Sequence, residues 1–393
     1  MEAVLAVLRT VGTVTVTELM EATGLTRTTV ITVCDELMDK GWAQEVDSPR
    51  GAATAQVGRP ARHFRFHDRA GFVLGLDVGE VKTTAVVADL RGRILGRCTR
   101  SFPDLDSSGR LDVIDAAVED ALRGAAVVPT AVLAAAVGVA APVDRTGRIS
   151  RAQHFWEAFD IGIEARLGER FGRPVTLAND ANLAALAERW QGAAAGVDDL
   201  AVMLAGERIG FGLVEAGRPL RGRHGGAGEI GSLELVRGVG GPEGIARLCR
   251  TWASEAVRDD APATTIRELA REAGTVEAEM VFRAAADGDA VAAQILERVA
   301  DRMARVIGLV GTLFDPELVV IAGAVAASAS ALLEDIERLL PRFTTTPPRV
   351  AVSPLGEAVV SIGAVRLALD HVEQHALDLD LATATPQHPA GVS

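Results

Sequence analysis

The sequence predicts a mixed α/β chain in which a small helical unit with a hairpin precedes two larger lobes built of alternating strands and helices. Three observations carry this expectation. Two short helical segments separated by a Gly-Leu-Thr turn, then two extended aromatic runs, fill residues 1–70. From Gly71 the character changes to β-branched runs broken by glycines. Strand-like and helix-like runs then alternate, and a second such series begins near Asp199; this is the signature of α/β lobes.

Within residues 1–70, the segment EAVLAVLR places Val4, Leu5 and Leu8 on one helical face, and Gly12 ends it. Thr15 or Thr17 can cap a second helix that stops at Gly24. Thr26 can cap a third running through Val30, Val33, Leu37 and Met38 to Gly41. Two helices so spaced form a helix-turn-helix, whose second helix offers its N-terminal side chains to a DNA major groove. Thr26, Arg27, Thr28, Thr29 and Thr32 are therefore expected to face outward and to contact DNA. WAQEV and HFRFH read as strands on either side of the loop SPRGAATAQVGRP. That hairpin makes a wing carrying Arg50 and Arg59, with Gly58-Arg59-Pro60 shaped to place one guanidinium in a minor groove.

Charge agrees with this division. The chain of 393 residues carries a net charge of -13, which argues against a protein that coats nucleic acid. Residues 1–70, with eight basic and nine acidic side chains, are nearly neutral, and residues 48–69 hold five arginines against Asp68 alone. A phosphate-binding face is expected there. With 48% hydrophobic and 24% charged residues the composition is that of a folded multidomain protein. Neither a membrane-length apolar run nor a signal peptide is legible, so a cytoplasmic location is expected. Cys34, Cys98 and Cys249 stand too far apart for a zinc cluster or a disulfide frame.

After the first strands, residues 111–125 read as a helix and 131–140 as a buried strand. A further strand, 174–178, ends at Asn179-Asp180, and a helix follows over 181–191. The second series has strands at 200–204 and 210–215, a helix-rich stretch over 242–313, the strand LVVIAG and a last helix near 361–375. Two such lobes leave a cleft between them. The expected domains are thus 1–70 for DNA, 71–377 for a ligand, and an Ala/Thr/Pro-rich, disordered tail over 378–393.

These motifs occur in a fixed order: Gly24-Leu25-Thr26, Gly58-Arg59-Pro60, Asp77-Val78-Gly79, Pro142-Val143-Asp144, Asn179-Asp180-Ala181-Asn182, Gly226-Ala227-Gly228-Glu229-Ile230-Gly231 and Asp315-Pro316-Glu317. Together they resemble the ROK family of repressors, open reading frames and kinases, whose two-lobed actin/hexokinase-like (ribonuclease H-like) domain sits behind an optional winged helix. The resemblance implies that Asp180 stands where the kinases keep their base, with Asn179 and Glu229 accepting or donating hydrogen bonds to other sugar hydroxyls. It also marks departures. The kinase loop DxGGTK reads Asp77-Val78-Gly79-Glu80-Val81-Lys82, and GTGIG reads Gly206-Glu207-Arg208-Ile209-Gly210. Side chains and negative charge oppose phosphate binding in such loops.

The family's zinc-binding Gly-His and CxCGxxGC runs are missing, so no metal and no other cofactor are expected. The glutamate that usually follows those cysteines aligns with Glu243, and Ala140-Ala141 replaces the usual Pro-Gly. The resemblance implies a transcription regulator, a repressor of carbohydrate genes, that binds operator DNA as a homodimer or homotetramer and takes a sugar as effector. The alternative is an ATP-dependent sugar kinase with an appended DNA-binding unit, in which Asp180 is catalytic.

Overall fold

Threonine hydroxyls start the helices of the N-terminal unit. Thr15 caps α2 (Val16–Thr23) with its hydroxyl accepting from the Glu18 N–H, and the Glu18 carboxylate accepts from the Thr15 N–H in return, a reciprocal capping box. Thr26 caps α3 (Arg27–Asp39) singly, its hydroxyl accepting from the Thr29 N–H. Gly24 turns the chain between them at φ +70°. With α1 (Glu2–Thr10) they enclose Val4, Leu8, Leu19, Val30 and Leu37. Strands β1 (Thr13–Thr15), β2 (Ala43–Val46) and β3 (His63–Phe66) complete the unit, β3 pairing antiparallel with both others. The computed structural model describes all residues except 48–61, 103–105, 232, 234–235, 259–262, 380 and 382–393. The loop with Arg50 and Arg59 lies outside the described residues.

The first lobe contains β4 (Phe72–Val78), β5 (Lys82–Asp89), β6 (Ile94–Ser101), α4 (Ser107–Gly124), β7 (Val132–Val139), α5 (His154–Glu157), α6 (Ile163–Phe171), β8 (Val175–Asn179) and α7 (Asp180–Gln191). The second contains β9 (Leu200–Leu204), β10 (Gly210–Glu215), β11 (Arg218–Pro219), α8 (Ile245–Ala256), α9 (Thr265–Ala273), α10 (Ala278–Ala286), α11 (Ala290–Phe314), β12 (Leu318–Ala322), α12 (Ala326–Ala329), α13 (Leu333–Leu339) and β13 (Arg349–Val352). The last helix, α14 (Val359–Gln374), returns to pack on β4, β7 and α7.

Among the described residues the two sheets repeat one plan, β6-β5-β4-β7-β8 and β11-β10-β9-β12-β13. In each, the first three strands in sequence are antiparallel neighbours and the last two add in parallel. Parallel strands buried on both faces read as continuous apolar runs, and β7 (VLAAAVGV) and β12 (LVVIA) are buried throughout.

The N-terminal unit is fastened to the first lobe. Buried Asp89 accepts from the Arg91 and Arg93 N–H groups, and Gly92 at φ +82° closes the turn against the Trp190 ring. This presents the Arg91 guanidinium to the end of α1, where it donates to the Leu8, Arg9 and Val11 carbonyls at 3.2, 2.5 and 2.8 Å. Arg9 and Arg91 both lie over the Phe66 ring, at 5.6 and 5.4 Å from its centroid. Part of the segment expected to trail after 377 is placed here too. The Leu377 carbonyl accepts from Lys40 Nζ at 2.9 Å, the Leu379 carbonyl from Trp42 Nε1 at 3.4 Å, and the Leu381 N–H donates to the Lys40 carbonyl while its side chain is buried. Residues 380 and 382–393 of that segment lie outside the described residues. Arg91→Ala strips the α1 carbonyls of partners, and urea denaturation should show a loss of about 1–3 kcal/mol; an unchanged midpoint would mean that the fastening lies elsewhere.

Candidate functional site

Strand ends build the site. The register sets Asp77 beside Gly138, and Gly138 beside Ala178, so β4, β7 and β8 deliver Asp77, Val139 and Asn179 to one edge at their carboxyl ends. In open α/β sheets this is where ligands bind. Asn179 also caps α7: its Oδ1 accepts from the Asn182 N–H at 3.1 Å, and its Nδ2 donates to the Ala141 carbonyl at 3.3 Å. Cap and site are therefore the same residue, and its amide positions the following Asp180 and the Ala140-Ala141 wall. Asp180 Oδ1 accepts from the Ala181 N–H at 2.7 Å.

The second lobe contributes Glu229. Gly228, at φ +85°, lies so close to β10 that a Cβ there would sit 2.0 Å from the Phe211 carbonyl oxygen. Only glycine lets this turn press backbone to backbone against the strand, which aims Glu229 across the cleft. A narrow cavity of about 80 Å³ is lined by Asn179, Asp180, Glu229, Gln153, Trp156 and Arg208, among others. The Arg208 guanidinium lies 4.8 Å from the centroid of Phe155, closing one side.

Three carboxyl groups feel this enclosure. Burial, reinforced by the charges of Asp77 and Glu229, pushes Asp180 up to about 8. Burial raises Asp77 to about 6, with Lys82 opposing the rise. Glu229 is also raised, by the protein around it and against the pull of Arg208. A carboxyl raised this far holds its proton into the neutral range and can offer a hydrogen-bond donor as well as acceptors. A sugar, whose hydroxyls both donate and accept, suits such a set.

Glu243 departs from expectation. It does not line this cavity; its carboxylate pairs with Arg302 at 3.2 Å, and its backbone forms a bridge with Arg208. The loops aligned with phosphate loops also show more than their letters. Glu207 pairs with Arg250, so its negative charge is compensated rather than left to repel an anion. Lys82 is taken by Glu357 at 2.8 Å, and Arg97 adds to the same carboxylate at 2.7 Å. Glu80 has no ion pair among the described residues, but the Arg110 guanidinium, which donates to the Gly79 and Glu80 carbonyls, interacts with it electrostatically. The loop carbonyls of Ala205 and Gly206 accept from the first N–H groups of α8, so those donors are already used. Among the described residues, no group of three or more His, Cys, Asp or Glu side chains could hold a metal ion.

On the N-terminal unit, Thr26, Arg27, Thr28, Thr29 and Thr32 are all exposed. The Thr26 and Thr29 hydroxyls bond each other at 2.9 Å, and Arg27, Thr28 and Thr32 have no side-chain partner among the described residues. Arg62, counted in the basic segment, is not free: it bridges Asp35 and Glu45 at 2.8 and 2.9 Å. Sequence reasoning missed Gln153, Phe155 and Trp156; the adjacent aromatic pair, in a chain with only 4% aromatic residues, was the available signal. Among the described residues no helix is long and apolar enough to cross a membrane.

The chain is similar to known proteins in both of its parts. Residues 73–371 match the ROK family, and residues 3–52 match the MarR family. The glucokinase of Thermotoga maritima is 30% identical over 324 residues, covering 76% of this chain and 98% of its own. A putative xylose repressor of a Caldicellulosiruptor species is 23% identical over 383 residues, covering 92% of both. Among solved structures, a ROK family transcriptional regulator described as a homologue of the E. coli MLC protein superposes with a TM-score of 0.76 at 20% identity, over 97% of this chain and 98% of that one.

Proposed function

The chain belongs to the ROK family, and on that premise we propose that it is a transcription regulator that binds operator DNA through α3 and its wing and takes a sugar between its lobes as effector. One observation carries the reading: the unit that bears the outward-facing recognition helix is packed, through Arg91 and residues 377, 379 and 381, onto the same lobe that holds Asn179 and Asp180. A regulator needs a DNA face and a selective pocket in mechanical contact. The likeness to a putative xylose repressor over both modules supports this, as does the MarR-type match at the N-terminus. In this reading residues 1–70 form the DNA module, 71–377 the ligand domain, and Asn179, Asp180 and Glu229 meet the sugar. Arg27, Thr28 and Thr32 reach bases, and Arg50 and Arg59 reach the backbone or minor groove. A homodimer or homotetramer matches the two-fold operators that such modules read, and access to operator DNA calls for a cytoplasmic location.

The reading excludes phosphoryl transfer. Glu80 places a carboxylate, faced by Arg110, in the loop where a phosphate would approach, and Lys82 is held by Glu357. One observation favours the kinase alternative: a carboxyl raised to about 8 is near the value that suits a general base at neutral pH. Titration of the full chain with magnesium-ATP by calorimetry, beside a coupled sugar-phosphorylation assay, separates the two. We expect neither binding heat nor turnover. Micromolar ATP affinity with turnover that vanishes in Asp180→Asn would replace the regulator by the kinase.

A further inference from the structure

A second constructed feature straddles the lobes, away from Asp180. After β11 the chain forms a loop over 220–226 that reaches across to the first lobe. Gly225, at φ +75°, lies where a Cβ would be 2.2 Å from the Val143 carbonyl oxygen, so the two segments meet backbone to backbone. On the first-lobe side, Val143 and Ile149 bridge to form a small hairpin. Asp144 fastens that hairpin, its Oδ1 accepting from the Thr146 N–H and hydroxyl and from the Arg148 N–H at 2.8, 2.7 and 3.0 Å.

Arg145 from the hairpin, and Arg221 and Arg223 from the loop, line one cavity of about 520 Å³ together with Pro219, Leu220 and Gly222. No carboxylate lines it. None of the three guanidinium groups has an ion pair or a side-chain hydrogen bond among the described residues. Arg62, Arg97, Arg100, Arg166, Arg170 and Arg250 hold carboxylates, whereas exposed Arg27, Arg148, Arg218 and Arg342 are, like these three, without ion pairs among the described residues; what sets these three apart is that they line one cavity from two lobes. Three exposed guanidinium groups lining one cavity without a carboxylate among them make a local positive field that an anion lowers.

We propose that this cavity binds a phosphate group, free or as a phosphate monoester, and that the bound anion ties the lobes together, since Arg145 belongs to one lobe and Arg221 and Arg223 to the other. Guanidinium forks match phosphate oxygens in pairs, which gives such a site geometric selectivity over a bare positive surface. Operator DNA is the weaker candidate, because the patch lies at the other end of the first lobe's strands from the DNA unit. The N-terminal unit is fastened at the Leu90–Arg93 turn, near the start of β4, whereas Arg145 follows the far end of β7, which runs parallel to β4. A strand of this length separates the two ends by about 26 Å.

The test is calorimetric titration of the full chain with inorganic phosphate, glucose 6-phosphate and glucose, repeated on Arg145→Gln and on the double variant Arg221→Gln/Arg223→Gln. The expected result is saturable phosphate binding that weakens at least tenfold in each variant and with added salt, while the unliganded melting temperature stays level or rises as repulsion is removed. Glucose 6-phosphate binding more tightly than phosphate identifies an ester as the ligand, and equal binding identifies the free ion. Absence of saturable binding by either, or binding untouched in both variants, overturns the site. A loss confined to one lobe's variant overturns the tie between lobes. Variants that keep phosphate affinity but lose an operator duplex mark the patch as a DNA surface and overturn the assignment without touching the sugar pocket, whose Asp180 they leave intact.

Discussion

Asp180→Asn should raise the melting temperature by about 5 °C at pH 8 and leave it unchanged near pH 4. The sign follows from proton counting. In the folded chain the Asp180 carboxyl is pushed up to about 8 from an ordinary 3.8, because it is buried and faces Asp77 and Glu229. Between those two values the folded state holds a proton that the unfolded state has released. Stability therefore falls as pH rises from about 4 to about 8. Below pH 4 both states are protonated, and the carboxyl costs nothing.

Asparagine is neutral throughout, so the variant escapes the loss. Relief of about 2 kcal/mol, well under the full shift because the site opens to water on one side, corresponds to roughly 2–4 °C per kcal/mol. Asp77, raised to about 6, adds a smaller fall over the lower part of the range, and it ionises more readily once Asp180 carries no charge. Thermal melts of wild type and variant from pH 4 to 9 decide the matter. Curves that run parallel would mean that Asp180 is ionised in the fold.

What the sequence shows and what it hides divide along contact distance. The caps at Thr15 and Thr26 and the turn at Gly24 act within four residues, and each is legible from its letters. Asn179-Asp180 is legible because a strand pattern ends where a helix pattern begins. Strand β1 is not: three residues, Thr-Val-Thr, between two helices have no periodicity, and their partner lies fifty residues on in β3. Helices α5 and α6 fall between clear elements; α5 is a single turn, whereas α6 carries a legible apolar face, Ile163, Leu167 and Phe171 at i, i+4 and i+8, that the sequence reading passed over.

Charges mislead for the same reason. Glu207 reads as a free acid until the fold brings Arg250 to it, and Glu243 reads as a ligand until Arg302, buried in α11, claims it. The fastening of the N-terminal unit depends on Arg91 and Leu381, far from it in sequence. Its cost and benefit are set by tertiary contact alone. The same holds for Asp180, whose letters give a carboxylate and whose surroundings give an acid.

Operator affinity in Asp180→Ala and Glu229→Ala should match the wild type without sugar and should no longer respond to it. The reason is a continuous set of contacts from pocket to recognition helix. Asp180 opens α7, and one turn on, the Leu183 carbonyl lies against Gly363 of α14 so closely that a Cβ there would sit 1.9 Å away. Helices in backbone contact move together. Beyond Gly363, α14 reaches Glu373, which pairs with Arg9 at 3.6 Å, and then the Leu377 and Leu379 carbonyls, which hold Lys40 and Trp42 just after α3. A sugar that prefers one lobe arrangement shifts its population by no more than its differential affinity. About 1–3 kcal/mol of coupling gives a five- to hundredfold change in DNA binding. Truncating the pocket removes the sugar's hold without touching α3, whereas Glu373→Gln should keep both binding events and weaken the link between them. The measurement is a fluorescence-anisotropy titration of an operator duplex, with and without a sugar that raises the wild-type melting temperature. A full response in both truncation variants would move the effector pocket away from Asp180 and Glu229.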